Sequence, residues 1–312
     1  MAAPQNDKAD VIGVDLSAVG TAPSGTDVTV RYEIRAEGSD AAVVSATAAE
    51  DLVINLNGKA GIRTYRAYVC LLQNGTEVAR VASENKLGVL QTVSAAKKAI
   101  IAVPWLSLTD DGNAIAVADL VKTAGLTAGD KLHVYNKAES RYDVYELAAD
   151  MTWSPKAIYK VGADGTVEAV SSGTPETTTV ARGNGVWLER QDTTKAIVSY
   201  GQVASGTVAT TIDAGTAEKP TWNLLAVPTT TAVDIEATFG SSEADTLIVP
   251  TAGAPKICTV KDGEWAYEKS VPVTDASGNQ LGVRVVHEAV TELPAGTGFW
   301  YLNGGTAKTV TW

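Results

Sequence analysis

Two short loops carry enough oxygen donors to hold a hard cation. Asp110-Asp111-Gly112-Asn113 and Asp275-Ala276-Ser277-Gly278-Asn279 each set carboxylates and amides around a glycine. Calcium takes oxygen ligands of this kind, so Asp110, Asp111, Asn113, Asp275 and Asn279 are the metal candidates. Neither loop has the twelve-residue EF-hand spacing. Asp and Asn in such loops also bond their own backbone, and that polar turn is the simpler reading. It calls for no cofactor.

The remaining chemistry is thinner. His133 and His287 are the two histidines, at unrelated positions, and cannot build a zinc site of the usual kind. His287-Glu288 could orient a base, but no Gly-x-Ser-x-Gly nucleophile motif accompanies it. Gly183-Asn184-Gly185 and Gly296-Thr297-Gly298 look like phosphate-cradling loops. Each precedes an aromatic strand instead of a helix and lacks a Lys-Ser/Thr pair, so that reading fails. Among 36 acidic residues no carboxylate pair stands out for glycoside chemistry. No catalytic residue is assigned, and the chain is read as a non-enzyme.

Seven tryptophans remain, and exposed indoles can stack on sugar faces. A repeat in the sequence sorts them. Ile100-Ile101-Ala102-Val103-Pro104 returns as Leu224-Leu225-Ala226-Val227-Pro228, and Gly183 to Leu188 returns as Gly296 to Tyr301. A packing residue should recur in both copies, whereas a single site has no reason to. Trp153 and Trp265, and Trp187 and Trp300, occupy matched positions and are expected in the core. Trp105, Trp222 and Trp312 have no matched Trp and become the interface candidates.

The elements that must position these residues are strands. Thr and Val dominate many segments, and Gly and Pro punctuate them at short intervals. The expected class is all-β: three consecutive β-sandwich or barrel-like domains, the last two a tandem duplication. Residues 1–96 form the first, of immunoglobulin or fibronectin type but without the Cys…Trp…Cys pattern. Residues 97–203 form the first repeat, 204–218 a linker and 219–312 the second repeat, with Thr207 to Ile212 able to pair as an edge strand. Val28 to Arg35 alternates apolar and polar residues, which predicts one face on a core and one in water. Asn74-Gly75 predicts a type I′ hairpin turn. Before Val28, the segment with Val11, Ile12, Val14 and Leu16 is a candidate for adding a strand to a neighbouring molecule.

The chain of 312 residues carries a net charge of −11. An acidic surface argues against nucleic acid and offers anionic membranes no basic patch. No apolar run is long enough for a membrane helix. Met1 to Lys8 contains no signal peptide, yet Ala2-Ala3 resembles the surroundings of a cleavage site behind an added Met. Cys70 and Cys258 lie in apolar strand-like runs and are expected as buried thiols.

Val103-Pro104, Ala128-Gly129-Asp130 and Arg182-Gly183-Asn184-Gly185-Val186-Trp187 form one copy of a module. Trp222 to Pro228 and Leu293 to Trp300 form the other. Together they resemble a repeat of uncharacterised exported bacterial all-β proteins, over about residues 97–312. The resemblance implies a surface or extracellular setting and brings no activity with it. The copies differ where Arg182 faces Ala295. The leading expectation is a non-catalytic, self-associating subunit of a surface assembly: a fibre, layer or adhesive stalk. The alternative is a carbohydrate-binding module or adhesin, which requires exposed Trp or Tyr beside a groove.

Overall fold

The computed structural model describes residues 11–13, 27–47, 53–55, 61–92, 97–102, 105, 114–120, 125–161, 163–194, 197–203, 206–251 and 253–312. Asp110, Asp111, Asn113, Val14 and Leu16 lie outside them. The described chain is all-β, with two helices of one turn each.

The first seven strands are β1 (Val11–Gly13), β2 (Val28–Ala36), β3 (Ala42–Ala46), β4 (Val53–Asn55), β5 (Gly61–Gln73), β6 (Thr76–Ala82) and β7 (Leu87–Thr92). The long β5 pairs with β2 along one edge, and with β7 and then β6 along the other. Asn74 and Gly75 close the β5–β6 hairpin at φ 50° and 78°, the left-handed region a type I′ turn requires. β1 pairs with β4 of the same chain. Ile34, Ile54, Tyr65, Leu87 and Val89 form the core of this unit.

The polar face of β2 is covered towards its C-terminal end. Glu33 and Arg35 are buried, with Arg35 Nε donating to Glu33 Oε2 at 2.8 Å. Arg31 Nε lies 2.6 Å from Glu33 Oε1, and Arg35 stacks over the Tyr68 ring. Alternation separates the two faces, but this charged face neutralises itself and can be covered. Glu33, Cys70 and Glu77 approach one another closely, yet arginines occupy both carboxylates.

The middle unit follows with β8 (Lys98–Ala102), β9 (Ala114–Ala116), α1 (Val117–Leu120), β10 (Lys131–Asn136), β11 (Arg141–Leu147), β12 (Trp153–Pro155), β13 (Ala157–Val161), β14 (Val167–Ser171), β15 (Thr179–Ala181), β16 (Gly185–Glu189) and β17 (Ile197–Gln202). The last unit holds β18 (Ala209–Ile212), β19 (Thr221–Ala226), β20 (Val233–Asp234), α2 (Ile235–Phe239), β21 (Thr246–Val249), β22 (Lys256–Lys261), β23 (Glu264–Thr274), β24 (Gln280–Ala289), β25 (Glu292–Leu293), β26 (Gly298–Asn303) and β27 (Lys308–Thr311).

The main sheets of these two units have corresponding orders: β8-β16-β10-β11-β12 and β19-β26-β21-β22-β23, the latter extended by β24. The ribbon β9–β15 corresponds to β20–β25. β17 pairs back onto β7, and β27 pairs back onto β18, so residues 209–212 of the expected linker are a ladder strand. β17 serves two units: Ile197 enters the middle core, while Tyr200 packs on the first.

Each sheet turns alternate residues onto a ribbon and a one-turn helix. Leu132, Tyr145, Val186 and Leu188 face Ile115, Val117 and Val180 in the middle unit. Leu247, Phe299 and Tyr301 face Ile212, Phe239 and Val310 in the last. A buried Asp fixes the entry to the third strand of each sheet. Asp130 accepts from the N–H groups of Thr127 and Gln191, and Asp245 from Gly304 N, Tyr301 Oη and Lys308 Nζ.

Edge strands β8 and β19 face each other across the junction of the two units. Bridges join Ile101 to Thr297 and Asn184 to Leu225, and Ala226 N donates to Gly183 O at 2.9 Å. Each unit thereby covers the exposed edge of the other. Gly298 permits the approach, since an added Cβ would lie 2.6 Å from Ile100 Cβ and 2.8 Å from Ile100 O.

Candidate functional site

The site is built on outer sheet faces that the period-2 pattern leaves free. Leu132 and Val134 of β10 point inward, so His133 and Tyr135 point out. Val186 and Leu188 of β16, and Phe299 and Tyr301 of β26, are buried, and the tryptophan between each pair turns outward. Trp187 and Trp300, expected in the core because they recur, therefore stand half-buried on the outer face. They hold matching places in the two ladders, and the place is an outward one. Trp153 and Trp265 do lie in the core, and Trp265 Nε1 donates to Gly240 O at 2.7 Å.

These outward rings form a continuous aromatic band across the junction. Trp222 of β19 meets Trp300 of β26 edge to face at a centroid distance of 5.4 Å. They are diagonal neighbours, because Trp222 pairs with Leu302 and Trp300 with Leu224. Trp300 meets Tyr135 of the middle unit at 5.9 Å, and Tyr135 meets its cross-strand partner Tyr142 at 5.5 Å. Tyr142 touches the His133 ring at 6.2 Å and the Trp187 side chain. Trp222 is 46% exposed and stands at the open end.

Two hollows flank the band. One, of about 350 Å3, opens at the junction between Tyr135, Lys137, Arg182, Asn184, Thr210 and Trp222. The other, of about 210 Å3, lies over Lys98, His133, Tyr142, Trp187 and Glu189. There His133 Nε2 lies 3.3 Å from Glu189 Oε2, and Lys98 reaches the same carboxylate. Burial pushes the His133 pKa below its ordinary value against the opposing pull of Glu189, which favours the neutral ring near pH 7. Burial would raise the Glu189 carboxyl, but Lys98 and His133 hold it below the usual carboxylate range.

The other predicted site residues fall elsewhere. Trp105 is fully buried, stacked where a Cβ on Gly88 would have to sit, and its Nε1 donates to Ser199 O. Trp312 packs into the last core with its Nε1 on Thr210 Oγ1. Val11 and Ile12 lie in β1, paired within the chain. At the β23–β24 turn, Asp275 Oδ1 accepts from Ser277 N and Asn279 N, and Oδ2 from Asn279 Nδ2. Its carboxylate is filled by its own loop, the geometry of a polar turn.

Of the predicted residues, only Trp222 joins the band. Tyr135, Tyr142, Trp187, Trp300 and Arg182 stand outside the site residues expected from the sequence. The signal that finds four of them is the strand alternation itself, which puts every second residue outside. No protein-family model, curated protein or solved structure matches this chain.

Proposed function

We propose that the protein is a non-catalytic recognition protein that holds a saccharide along the aromatic band. The observation that supports this is the row Trp222–Trp300–Tyr135–Tyr142, which runs unbroken from one unit to the next beside a hollow lined with polar groups. Sugars present C–H faces rimmed by hydroxyls. Aromatic faces suit the former, and Asn184, Thr210 and Lys137 offer hydrogen bonds to the latter. In the second hollow His133 is engaged by Glu189, which Lys98 also reaches. An extracellular or surface setting goes with this proposal. A glycan array probed with the full chain, followed by calorimetric titration of the hits, tests it. Binding of a defined oligosaccharide that Trp300→Ala weakens is expected, and an array without hits refutes it.

A second reading, self-association into a surface assembly, is favoured by one specific feature. β24 is the free edge of its sheet, and it carries Leu281, Val283 and Val285 on one exposed face, Leu281 at 70% exposure. Such an edge is a template for pairing with another chain. Sedimentation over a wide concentration range tests it. Concentration-dependent polymers lost in Leu281→Lys support it, and a monomer throughout refutes it.

A further inference from the structure

The junction hollow contains two cationic side chains in different circumstances. Lys137 Nζ lies 2.6 Å from Asp213 Oδ2, so that pair is neutral as a unit. Arg182 is 6% exposed, and its Nη2 donates to the Pro228 carbonyl across the junction at 3.3 Å. Its Nε has no hydrogen-bond partner, and no carboxylate pairs with it among the described residues. Burial alone pushes this guanidinium below its ordinary pKa, with no opposing charge to restore it. Buried charges are as a rule paired, because an uncompensated one loses its hydration for nothing.

Arg182 also differs from the residue at the corresponding position of the last unit, Ala295. Ala295 is half-buried and carries no charge, so the correspondence of the two units does not account for the guanidinium. An overall charge of −11 repels anions at long range, so a positive spot inside a cleft selects a ligand of low charge. Arginine suits a planar carboxylate in particular, through its fork of donors.

We infer that the hollow at Arg182 receives the carboxylate of an acidic saccharide, a uronic-acid residue whose ring is carried by Trp222 and Tyr135. This rests on the saccharide reading of the band and names its ligand class. Arg182 supplies the counter-charge, and Asn184 and Thr210 line the same wall.

Calorimetric titration of the full chain tests it with three probes. These are a glucuronate-containing disaccharide, the same disaccharide with its carboxyl reduced to an alcohol, and sodium acetate. The acidic disaccharide is expected to bind about ten- to a hundredfold tighter than the neutral one, the margin of a hydrogen-bonded charge. Arg182→Gln is expected to remove that margin, so that the variant binds the acidic and the neutral disaccharide equally. Equal affinity of the two disaccharides for the unaltered protein overturns the inference while the saccharide reading stands. This comparison decides the matter even where Arg182→Gln does not fold. Acetate binding as tightly as the acidic disaccharide also overturns it, as does a margin that survives Arg182→Gln. If neither disaccharide nor any array glycan binds, the saccharide reading itself falls.

Discussion

Replacing Trp222 by Ala separates a binding role from a packing role. The indole is 46% exposed, and one edge of the ring system meets Trp300. A Trp side chain offers up to ~250 Å2, so ~115 Å2 of Trp222 is open to a ligand. A sugar ring seated on one face covers roughly half of that, or ~60 Å2. At ~25 cal/mol per Å2 the contact contributes ~1.5 kcal/mol, roughly a tenfold change in Kd. The structural loss is not negligible beside it. The ~135 Å2 of Trp222 that is already buried is worth up to ~3 kcal/mol at the same coefficient. The edge-to-face contact with Trp300 adds about 0.5–1.5 kcal/mol, and no hydrogen bond of Trp222 goes with it among the described residues.

The internal control is Trp265→Ala. That indole is buried and donates to Gly240 O, so its truncation should cost ~3–5 kcal/mol of stability. The assay pairs calorimetric titration of an array-identified oligosaccharide with urea unfolding of each variant. Trp222→Ala should lose about tenfold in affinity, and its unfolding midpoint should fall less than that of Trp265→Ala, whose ring is almost wholly buried. If Trp222→Ala binds as the parent does, the band is not the binding surface. If its midpoint falls as far as that of Trp265→Ala, the open ring is a structural element and the area argument fails.

Gly298→Ala should destabilise the protein by ~1–3 kcal/mol, because the new methyl meets Ile100 Cβ and the Ile100 carbonyl across the junction; an unchanged urea midpoint would contradict this close approach. Cys258 is fully buried, and burial pushes its thiol up to about 11 from 9.0, while Tyr200 is pushed up to about 12 from 10.0. Raised acids stabilise the fold fully below the unfolded-state value and lose that contribution as pH climbs through the folded one. Thermal stability should therefore decline from about pH 9 to about pH 12, and a thiol reagent at pH 8 should react with Cys258 only on unfolding. Rapid labelling of the native protein would refute the burial.

Much of the fold was legible because strand alternation and turn chemistry are local. Asn74-Gly75 forms the hairpin turn its sequence predicts, and Lys131 to Tyr135 is a strand whose two faces alternation assigns. What the sequence could not show is which outward face is covered by something else. Arg31, Glu33 and Arg35 read as a wet face but lie against Glu77 and Tyr68, contributed by strands more than thirty residues away. Ile100 belongs to the same outward register as Trp187 and is nonetheless buried, because the other unit docks over it. Trp105, unmatched and so set aside as an interface residue, is buried within its own chain against Gly88.

The two units correspond in ladder position, but the chemistry at their junction does not. Trp222 stands opposite Leu302 as Lys98 stands opposite Glu189, so the open indole has a lysine as its counterpart. Leu132 and Leu247 hold the same place beside β16 and β26, which sets Tyr135 against Pro250. Arg182 corresponds to Ala295. A symmetric scaffold could have made two equal clefts, one on each side of the β8–β19 contact. Three differences leave the indole, the tyrosine and the guanidinium together on one side alone. Each of these three groups is present at only one of its two corresponding positions. Their asymmetry agrees with the proposed saccharide site, in which Trp300, matched by Trp187, is joined by groups that only one side of the junction supplies.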